Sequence, residues 1–545
     1  MRRVEAVGTL YASSHKFNGE RCCAQTQVHV QVYICSGSLF VSLVLTLDKN
    51  YIMLYHTATI SEAEALMNNA AAAFDLYKKT PAEQRARFLE AIAKEIDASG
   101  DGLILKASGE THLPAARLMG ERTRTTMQLR AFAAMLREGS WAEISIDTAL
   151  PDRAPLPKPD LRKMLVPLGP IVVFGASNFP FAYSTAGGDT ASALAAGCPV
   201  VVKAHPAHAE TSYMVYEAVK RAVVAAGLPE AVFQHVFGEN EVGKALVQHP
   251  ATAGVGFTGS YTGGNALLKY AQERKNPIPV FCEMGSVNPV VIFPETLKQN
   301  RASLVNMYAD SISQSMGQFC TNPGIILAER GEALDLFVQE LGETIKRVTP
   351  APMLHEGIRR NYLERMHASL AQAGVEQAIA TDEEAEEARP IIATVEAAAF
   401  LGNHLLQEEV FGPYSLVVRC KGREELRKAW IALQGQLTTS LMGTPQDFLD
   451  NRDMVEAASG MAGRIVFNGV PTGVEVCPSM VHGGPYPATT DSRYTAVGIG
   501  SVNRWVRPVC YQNCPDELLP DELKSANPLH LLRFVNSVWT REAVL

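Results

Sequence analysis

The run Leu165-Val166-Pro167-Leu168-Gly169-Pro170-Ile171-Val172-Val173-Phe174, followed by Gly175-Ala176-Ser177-Asn178-Phe179-Pro180, decides the fold. Its apolar residues predict a buried strand from 165 to 174, and the Gly/Asn/Pro group after it reads as a turn. An Ala-rich helix is expected over 188–196, then a strand at Val200-Val201-Val202 and a helix over 210–226. Strands at 232–237 and 254–257 and a helix over 261–272 continue the alternation. Strands that alternate with helices of this length imply a doubly wound parallel sheet. A second alternating series from near Val290 past Val417 predicts another α/β domain.

Upstream, Ser61-Glu62-Ala63-Glu64 predicts a capped helix that runs to Leu76. Thr80-Pro81-Ala82-Glu83 predicts a second, with Thr80 as cap, proline at the first position, a capping-box glutamate, and Phe88, Leu89, Ile92 and Ile96 on its apolar face. The proline-rich stretch 151–159 reads as an extended connector. The first 55 or so residues differ in character. Gln31 to Leu47 is apolar but shorter than a membrane helix, lies too far in for a secretory signal, and suits one buried strand. That region reads either as an extension or as sequence upstream of an initiator at Met53.

With 545 residues the chain exceeds one ordinary domain. Forty-nine basic against 57 acidic residues give a net charge of −8, which repels a phosphate backbone, and no basic run compensates. The acidic run Asp382 to Glu387 reads as a solvated face. Ten cysteines in a chain of this size are no disulfide framework. Cys22-Cys23 and Cys510-x-x-x-Cys514 lack the second pair that a zinc site needs. A cytoplasmic, reducing setting with no bound metal and no membrane fits this usage.

One cysteine stands apart. Gly317-Gln318-Phe319-Cys320-Thr321-Asn322-Pro323-Gly324 sets Cys320 in a Gly-bounded loop, and Phe281-Cys282-Glu283-Met284-Gly285 offers a carboxylate upstream. A free thiol has a pKa near ~8.5, so thiolate chemistry needs a base or a lowered pKa. Taken alone, Cys320 reads equally as a core filler, Asn178 as a turn residue ahead of Pro180, and Glu283 as a cap or surface carboxylate.

The two motifs together resemble the signature of the aldehyde dehydrogenase superfamily. The resemblance extends from about Thr57 to about Leu518 through Val173 to Pro180, Val202-Lys203-Ala204-His205-Pro206, Phe257-Thr258-Gly259-Ser260 and Glu408-Glu409-Val410-Phe411-Gly412-Pro413. It implies an α/β fold with a Rossmann-type cofactor domain, an α/β catalytic domain and a small oligomerisation hairpin. The expected bounds are 1–55 for the atypical extension, 56–282 for the cofactor domain with a bridging segment about 150–168, 283–495 for the catalytic domain, and 496–545 for a C-terminal bridging and oligomerisation segment. It further implies Cys320 as nucleophile, Glu283 as base for deacylation, and the Asn178 amide with the Cys320 N–H as oxyanion donors. Cys282 is outside the family pattern and reads as core.

For the cofactor, NADP or NAD, no Gly-x-Gly-x-x-Gly follows the first strand. The resemblance instead assigns Gly259 and Ser260 to the pyrophosphate at a helix N-terminus, with Gly264 in the same pattern. Lys203 and Glu409 would hold the two riboses, and Phe411 would lie near the nicotinamide. Pro206 stands where NAD-selective relatives often carry a glutamate, so both cofactors are expected, with NADP modestly favoured. Asn240, where some NADP-using relatives place an arginine, weakens a strict preference.

The C-terminal third, with Phe467-Asn468-Gly469, His482-Gly483-Gly484-Pro485 and Arg507-Pro508-Val509-Cys510, together with Gly187-Gly188-Asp189, resembles the 2-ketoglutaric semialdehyde dehydrogenases. NADP-linked fatty aldehyde dehydrogenases of luminous bacteria are similar in style, and a site-dead structural homologue is the alternative of another class. A keto-acid substrate would need an arginine, for which Arg122, Arg124 and Arg130 on one helical stretch are candidates beside their reading as surface residues. A homodimer or homotetramer is expected.

Overall fold

Five short parallel strands lie in the spatial order Val280–Glu283, Gly254–Thr258, Ile171–Phe174, Val200–Lys203, Phe233–Val236. The chain enters at the centre, adds two strands on one side, then returns to add two on the other. That reversal opens a crevice at the carboxyl ends of Ile171–Phe174 and Gly254–Thr258, where doubly wound sheets take ligands. Side chains alternate across the sheet. Ile171, Val173, Val200 and Val202 join the core beneath helices Ala82–Ala98 and Ala115–Glu138, while Val172 and Val201 meet Ala63, Met67 and Ala70 of helix Ile60–Tyr77. The computed structural model describes residues 2–8, 27–35, 38–47, 50–378, 387–433 and 435–544, with side chains from Tyr55 onward.

The run from Leu165 to Phe174 is not one strand. Leu161–Pro167 pairs antiparallel with Val506–Gln512 in a different sheet, and Ile171–Phe174 begins the parallel one. The break falls at Leu168-Gly169-Pro170. Gly169 has φ 145°, a Cβ there would lie 2.8 Å from the Ala253 Cβ, and Pro170 has no N–H for a ladder. Apolarity alone does not register such a change of sheet.

Two helix caps also differ from expectation. Thr59, not Ser61, caps Ile60–Tyr77, accepting from the Glu62 N–H at 3.2 Å while Glu62 accepts from the Thr59 N–H at 2.7 Å. Both Thr59 and Ser61 have glutamate three residues on, and the earlier box prevails. Thr80 makes no cap. The helix starts at Ala82 behind Pro81, and Glu83 pairs with Arg87 and Arg137 instead. Helices Gly188–Ala196, Ala209–Ala225 and Tyr261–Gln272 lie where the pattern places them.

The second domain is a seven-stranded sheet in the order Glu376–Gln377, Ile391–Glu396, Tyr414–Cys420, Ile325–Glu329, Val290–Ile292, Gln436–Met442, Ala462–Phe467, parallel except at its first pair. Its two faces carry separate cores, with Val291, Leu327 and Val418 on one and Val290, Ile326 and Val417 on the other. Of the acidic run, residues 382–386 lie outside the described residues, as does Cys22-Cys23. The span 31–47 is not one strand. Gln27–Cys35 and Ser38–Leu47 pair antiparallel within a four-stranded sheet, since a run of that length exceeds an ordinary strand. Among the described residues no helix is long and apolar enough to cross a membrane.

A fourth sheet joins Val506–Gln512, Leu161–Pro167, Ser145–Asp147, Arg533–Val535 and Val538–Thr540. Trp505, fully buried ahead of it, donates from Nε1 to Ser192 Oγ at 2.7 Å and accepts from the Leu168 N–H at 2.9 Å. Arg504 pairs with Asp189 at 2.7 Å. These contacts tie the C-terminal segment to helix Gly188–Ala196. Trp505→Ala should therefore destabilise the chain by about 3–5 kcal/mol, read as a lower urea midpoint.

Candidate active site

The loop that carries Cys320 is shaped by its backbone before any side chain acts. Ser315, Met316 and Gly317 have φ of 49°, 51° and 62°, three left-handed residues in succession. A Cβ at Gly317 would lie 2.4 Å from the Gly412 backbone, so only glycine allows this approach. Asn288, fully buried and itself at φ 46°, donates from Nδ2 to the Cys320 and Asn322 carbonyls at 2.9 Å each. Its Oδ1 accepts from Ser286 and Thr438 hydroxyls. Asn322 donates to the Gly412 carbonyl at 3.1 Å. Sequence reasoning missed Asn288, since an asparagine before a proline reads as a turn.

Glu283 is the last residue of an edge strand and neither a cap nor a surface carboxylate. It is 3 % exposed, between buried Phe281 and Met284. The segment after Pro485 runs antiparallel beside it, through Met284 N–H to the Ala488 carbonyl at 2.8 Å and a Glu283–Thr489 bridge. This brings in a group that sequence reasoning quoted but gave no task. His482, 1 % exposed, places Nε2 2.9 Å from Glu283 Oε1 and 3.5 Å from Cys320 Sγ. Cys320 is half-buried, and burial, then the Glu283 carboxylate, push its thiol well above the ordinary range, with Arg124 pulling the other way. Cys282 is buried, as a core residue should be.

Asn178 is buried, and its Nδ2 donates to the Gln318 carbonyl at 3.1 Å, which places the amide against the Cys320 loop. The Cys320 N–H has no protein acceptor among the described residues. Around them stand three guanidinium groups, only one of which was among the candidates. Arg124 donates to the Tyr183 hydroxyl at 3.2 Å and its charge acts on Cys320. Arg464, whose charge couples to Cys320 and Tyr183, and Arg117, which lies over Phe179 and Phe319, complete the set. The Nε atoms of Arg124 and Arg464 are buried without a partner. Arg122 instead donates to the Gly100 carbonyl, and Arg130 pairs with Asp97 near the surface.

At the crevice, Ser260 caps helix Tyr261–Gln272 by accepting from the Gly263 N–H at 3.1 Å, which leaves its hydroxyl proton free. The Gly259 N–H donates to the Glu283 carbonyl at 3.0 Å. Gly264 faces the sheet, where a Cβ would lie 2.6 Å from the Met284 sulfur, so it packs the helix rather than lining the crevice. Lys203 ends its strand half-buried, its ammonium making no hydrogen bond or ion pair among the described residues, and Pro206 is exposed beyond it. Glu409 lies over Gly285, where a Cβ would be 2.3 Å from its Oε2, and burial pushes its carboxyl up to about 7. Phe411 lines the same cavity as Glu409 and Phe319. A helix N-terminus, an unpaired ammonium and a carboxylate around one crevice fit a dinucleotide. Glu239, which sequence reasoning overlooked, adds a carboxylate whose charge acts on Lys203.

The sequence profile of the Aldehyde dehydrogenase family matches residues 41–478. The chain is 47 % identical over 483 residues to an alpha-ketoglutaric semialdehyde dehydrogenase 2 of Azospirillum brasilense, covering 88 % of this chain and 92 % of that protein. It is 45 % identical over 492 residues to an alpha-ketoglutaric semialdehyde dehydrogenase of Acinetobacter baylyi, covering 90 % and 93 %. The fold matches 1-pyrroline-5-carboxylate dehydrogenase from Thermus with bound NAD at TM-score 0.70 and 22 % identity, over 84 % of this chain and 86 % of that one. It also matches a glyceraldehyde-3-phosphate dehydrogenase from Methanocaldococcus jannaschii complexed with NADP, at TM-score 0.71 and 18 % identity, over 85 % and 96 %. The chain belongs to the aldehyde dehydrogenase family, and its cofactor is NAD or NADP.

Asn288→Ala would orphan two buried carbonyls and should lower stability by about 2–4 kcal/mol, with a matching fall in kcat seen on the folded fraction. Pro206→Glu should reduce kcat/KM for NADP about tenfold or more, since about 1.4 kcal/mol of like-charge repulsion suffices. Glu239→Gln should move the NADP/NAD ratio the opposite way, and steady-state kinetics with each cofactor reads both.

Proposed function

We propose that the chain oxidises 2-ketoglutaric semialdehyde to 2-ketoglutarate. The names of its 47 % and 45 % identical relatives support this substrate. The observation that carries it is the pair of half-buried arginines, Arg124 and Arg464, each with a buried, unpartnered Nε and a charge that acts on the Cys320 thiol. Arg124 donates to the Tyr183 hydroxyl and Arg464 to the Gly473 and Pro471 carbonyls, which leaves one buried Nε–H on each unpaired, and a substrate carboxylate would satisfy it by a charge-assisted hydrogen bond. A long-chain aldehyde would leave both unsatisfied.

In the mechanism, the Cys320 thiol loses its proton to Glu283 and sulfur attacks the aldehyde carbon, forming a C–S bond. Negative charge passes to the former carbonyl oxygen. The Cys320 N–H meets it, joined by Asn178 Nδ2 once that amide exchanges the Gln318 carbonyl for the oxyanion. When bound, a nicotinamide cofactor supplies the hydride acceptor that converts the thiohemiacetal to a thioester. Glu283 passes its first proton to solvent and then, in its water-poor setting, takes a proton from the water that attacks the thioester carbonyl; as the C–S bond breaks the departing sulfur recovers that proton, and the carboxylic acid gives its own to solvent to leave as the carboxylate. Lys203 and Ser260 would hold the adenosine and pyrophosphate portion, and Glu409 and Phe411 the nicotinamide end. The mechanism suits a reducing cytosol, where a buried thiol stays reduced. The exposed edge strand Val538–Thr540, with Val538 62 % and Trp539 59 % exposed, is the surface we assign to self-association.

Cys320→Ala should abolish turnover with cofactor affinity nearly unchanged, checked by fluorescence titration. Glu283→Gln should slow both thiol ionisation and deacylation, so its steady-state rate falls further than its first-turnover burst of reduced cofactor. Arg124→Gln should raise KM for the semialdehyde about tenfold or more while altering that for hexanal less than about threefold. Equal losses for the two aldehydes would remove the arginine from substrate recognition.

A further inference from the structure

The His482-Gly483-Gly484-Pro485 motif has no task in the mechanism above, yet the structure fixes its histidine from several sides. The His482 N–H donates to Thr495 Oγ1 at 2.9 Å, and the His482 carbonyl accepts from the Ala496 N–H at 2.7 Å. A Cβ at Gly483 would lie 2.7 Å from the Tyr494 carbonyl oxygen, and one at Gly484 2.1 Å from that of Gln436. The segment has no room to slide, so the ring is held where its Nε2 meets both Glu283 Oε1 and Cys320 Sγ.

Both contacts fall on one nitrogen. Nδ1 is buried and has no partner. The ring is therefore not a wire that takes a proton at one nitrogen and releases it at the other. Between two tautomers, the one with a buried, acceptorless Nδ1–H is disfavoured, because an orphaned N–H is rarer in proteins than an unfilled acceptor. The hydrogen sits on Nε2. It has two claimants, the carboxylate oxygen at 2.9 Å and the sulfur at 3.5 Å, of which only one is ionised at a time.

We infer that His482 is a catalytic hydrogen-bond donor whose Nε2–H follows the negative charge from Glu283 to Cys320 and so holds the attacking thiolate. The step balances within the site. The Sγ–H bond breaks, its proton forms an O–H bond on Glu283, and one negative charge passes from carboxylate to sulfur. The imidazole keeps its charge and tautomer and changes only the acceptor it points at. Of the other groups that act on the sulfur, Glu409 opposes the thiolate and Arg124 favours it, with Tyr183 and Arg464 also coupled to it. His482 adds a donor in direct contact, where the remaining charges act at a distance. This inference rests on the reading of Cys320 as nucleophile and Glu283 as its base.

The test is alkylation of Cys320 by iodoacetamide in the full-length protein without cofactor or aldehyde, followed by mass spectrometry of its peptide across neutral to alkaline pH. EDTA is present, because thiol, imidazole and carboxylate within 4.8 Å of one another would also suit a thiophilic divalent ion. His482→Leu should slow alkylation at neutral pH about tenfold or more and move the midpoint up by about one pH unit. His482→Gln, whose amide N–H reaches the Nε2 position but accepts no proton, should recover the rate to within about threefold. Superimposable profiles for His482→Leu and the parent would overturn the inference. So would a His482→Gln variant as slow as His482→Leu, which would make the ring a proton acceptor. Should leucine prevent folding, His482→Asn, whose amide reaches only the Nδ1 position, takes its place with the same expected loss. Alkylation of Cys320 that left turnover intact would instead sink its assignment as nucleophile, an outcome separable from the other two.

Discussion

A carboxylate, a thiol and an imidazole share one nearly dry space, and most of the architecture serves to make that arrangement tolerable. Glu283 and His482 are buried, and their contact at 2.9 Å joins a strand end of one domain to a loop after the last strand of the other. A buried charge without partners would either neutralise or open the structure. Here Glu283 has the imidazole and a neighbouring thiol, and the thiol stays protonated because burial and the carboxylate both oppose a second negative charge. In the proposed mechanism the reaction begins when that proton passes from the thiol to the carboxylate.

Holding those groups still falls to backbone geometry. Of the three successive left-handed residues before Cys320, Ser315 and Met316 cost conformational energy, and they persist because Asn288 and Asn322 pin the loop and Gly317 admits the Gly412 backbone where a Cβ would clash. The two glycines after His482 do the same for the facing segment. Rigidity is bought here by hydrogen bonds to main-chain oxygens rather than by apolar packing, which suits a loop that must expose one sulfur atom.

The fourth sheet is a brace. Its strand Leu161–Pro167 leads through Leu168-Gly169-Pro170 straight into the central strand of the cofactor sheet, and Trp505 and Arg504 lock the following segment onto helix Gly188–Ala196. Asp189, which the sequence associates with substrate class, is consumed in that lock. The crevice beside the cofactor sheet is therefore shaped by contacts well away from it, while Lys203, Glu239 and Glu409 are the charges that we propose select the cofactor.

The amino-acid sequence by itself determined what depends on neighbours along the chain. Apolar runs with helical segments between them define parallel strands wherever they occur, and a cysteine between Phe319 and Thr321 or a serine ahead of Tyr261 carries its context with it. Family membership, the domain type and the location of Cys320 and Glu283 follow. The tertiary structure alone decided what depends on distance. Which of Arg117, Arg122, Arg124, Arg130 and Arg464 face the thiol, that Gly264 packs against Met284, and that the apolar run at 165 divides between two sheets are matters of how elements meet. His482 lies 162 residues from Cys320 and 199 from Glu283 in sequence, yet touches both. No local pattern encodes that contact, because it exists only once two domains have closed on the same few ångströms of space.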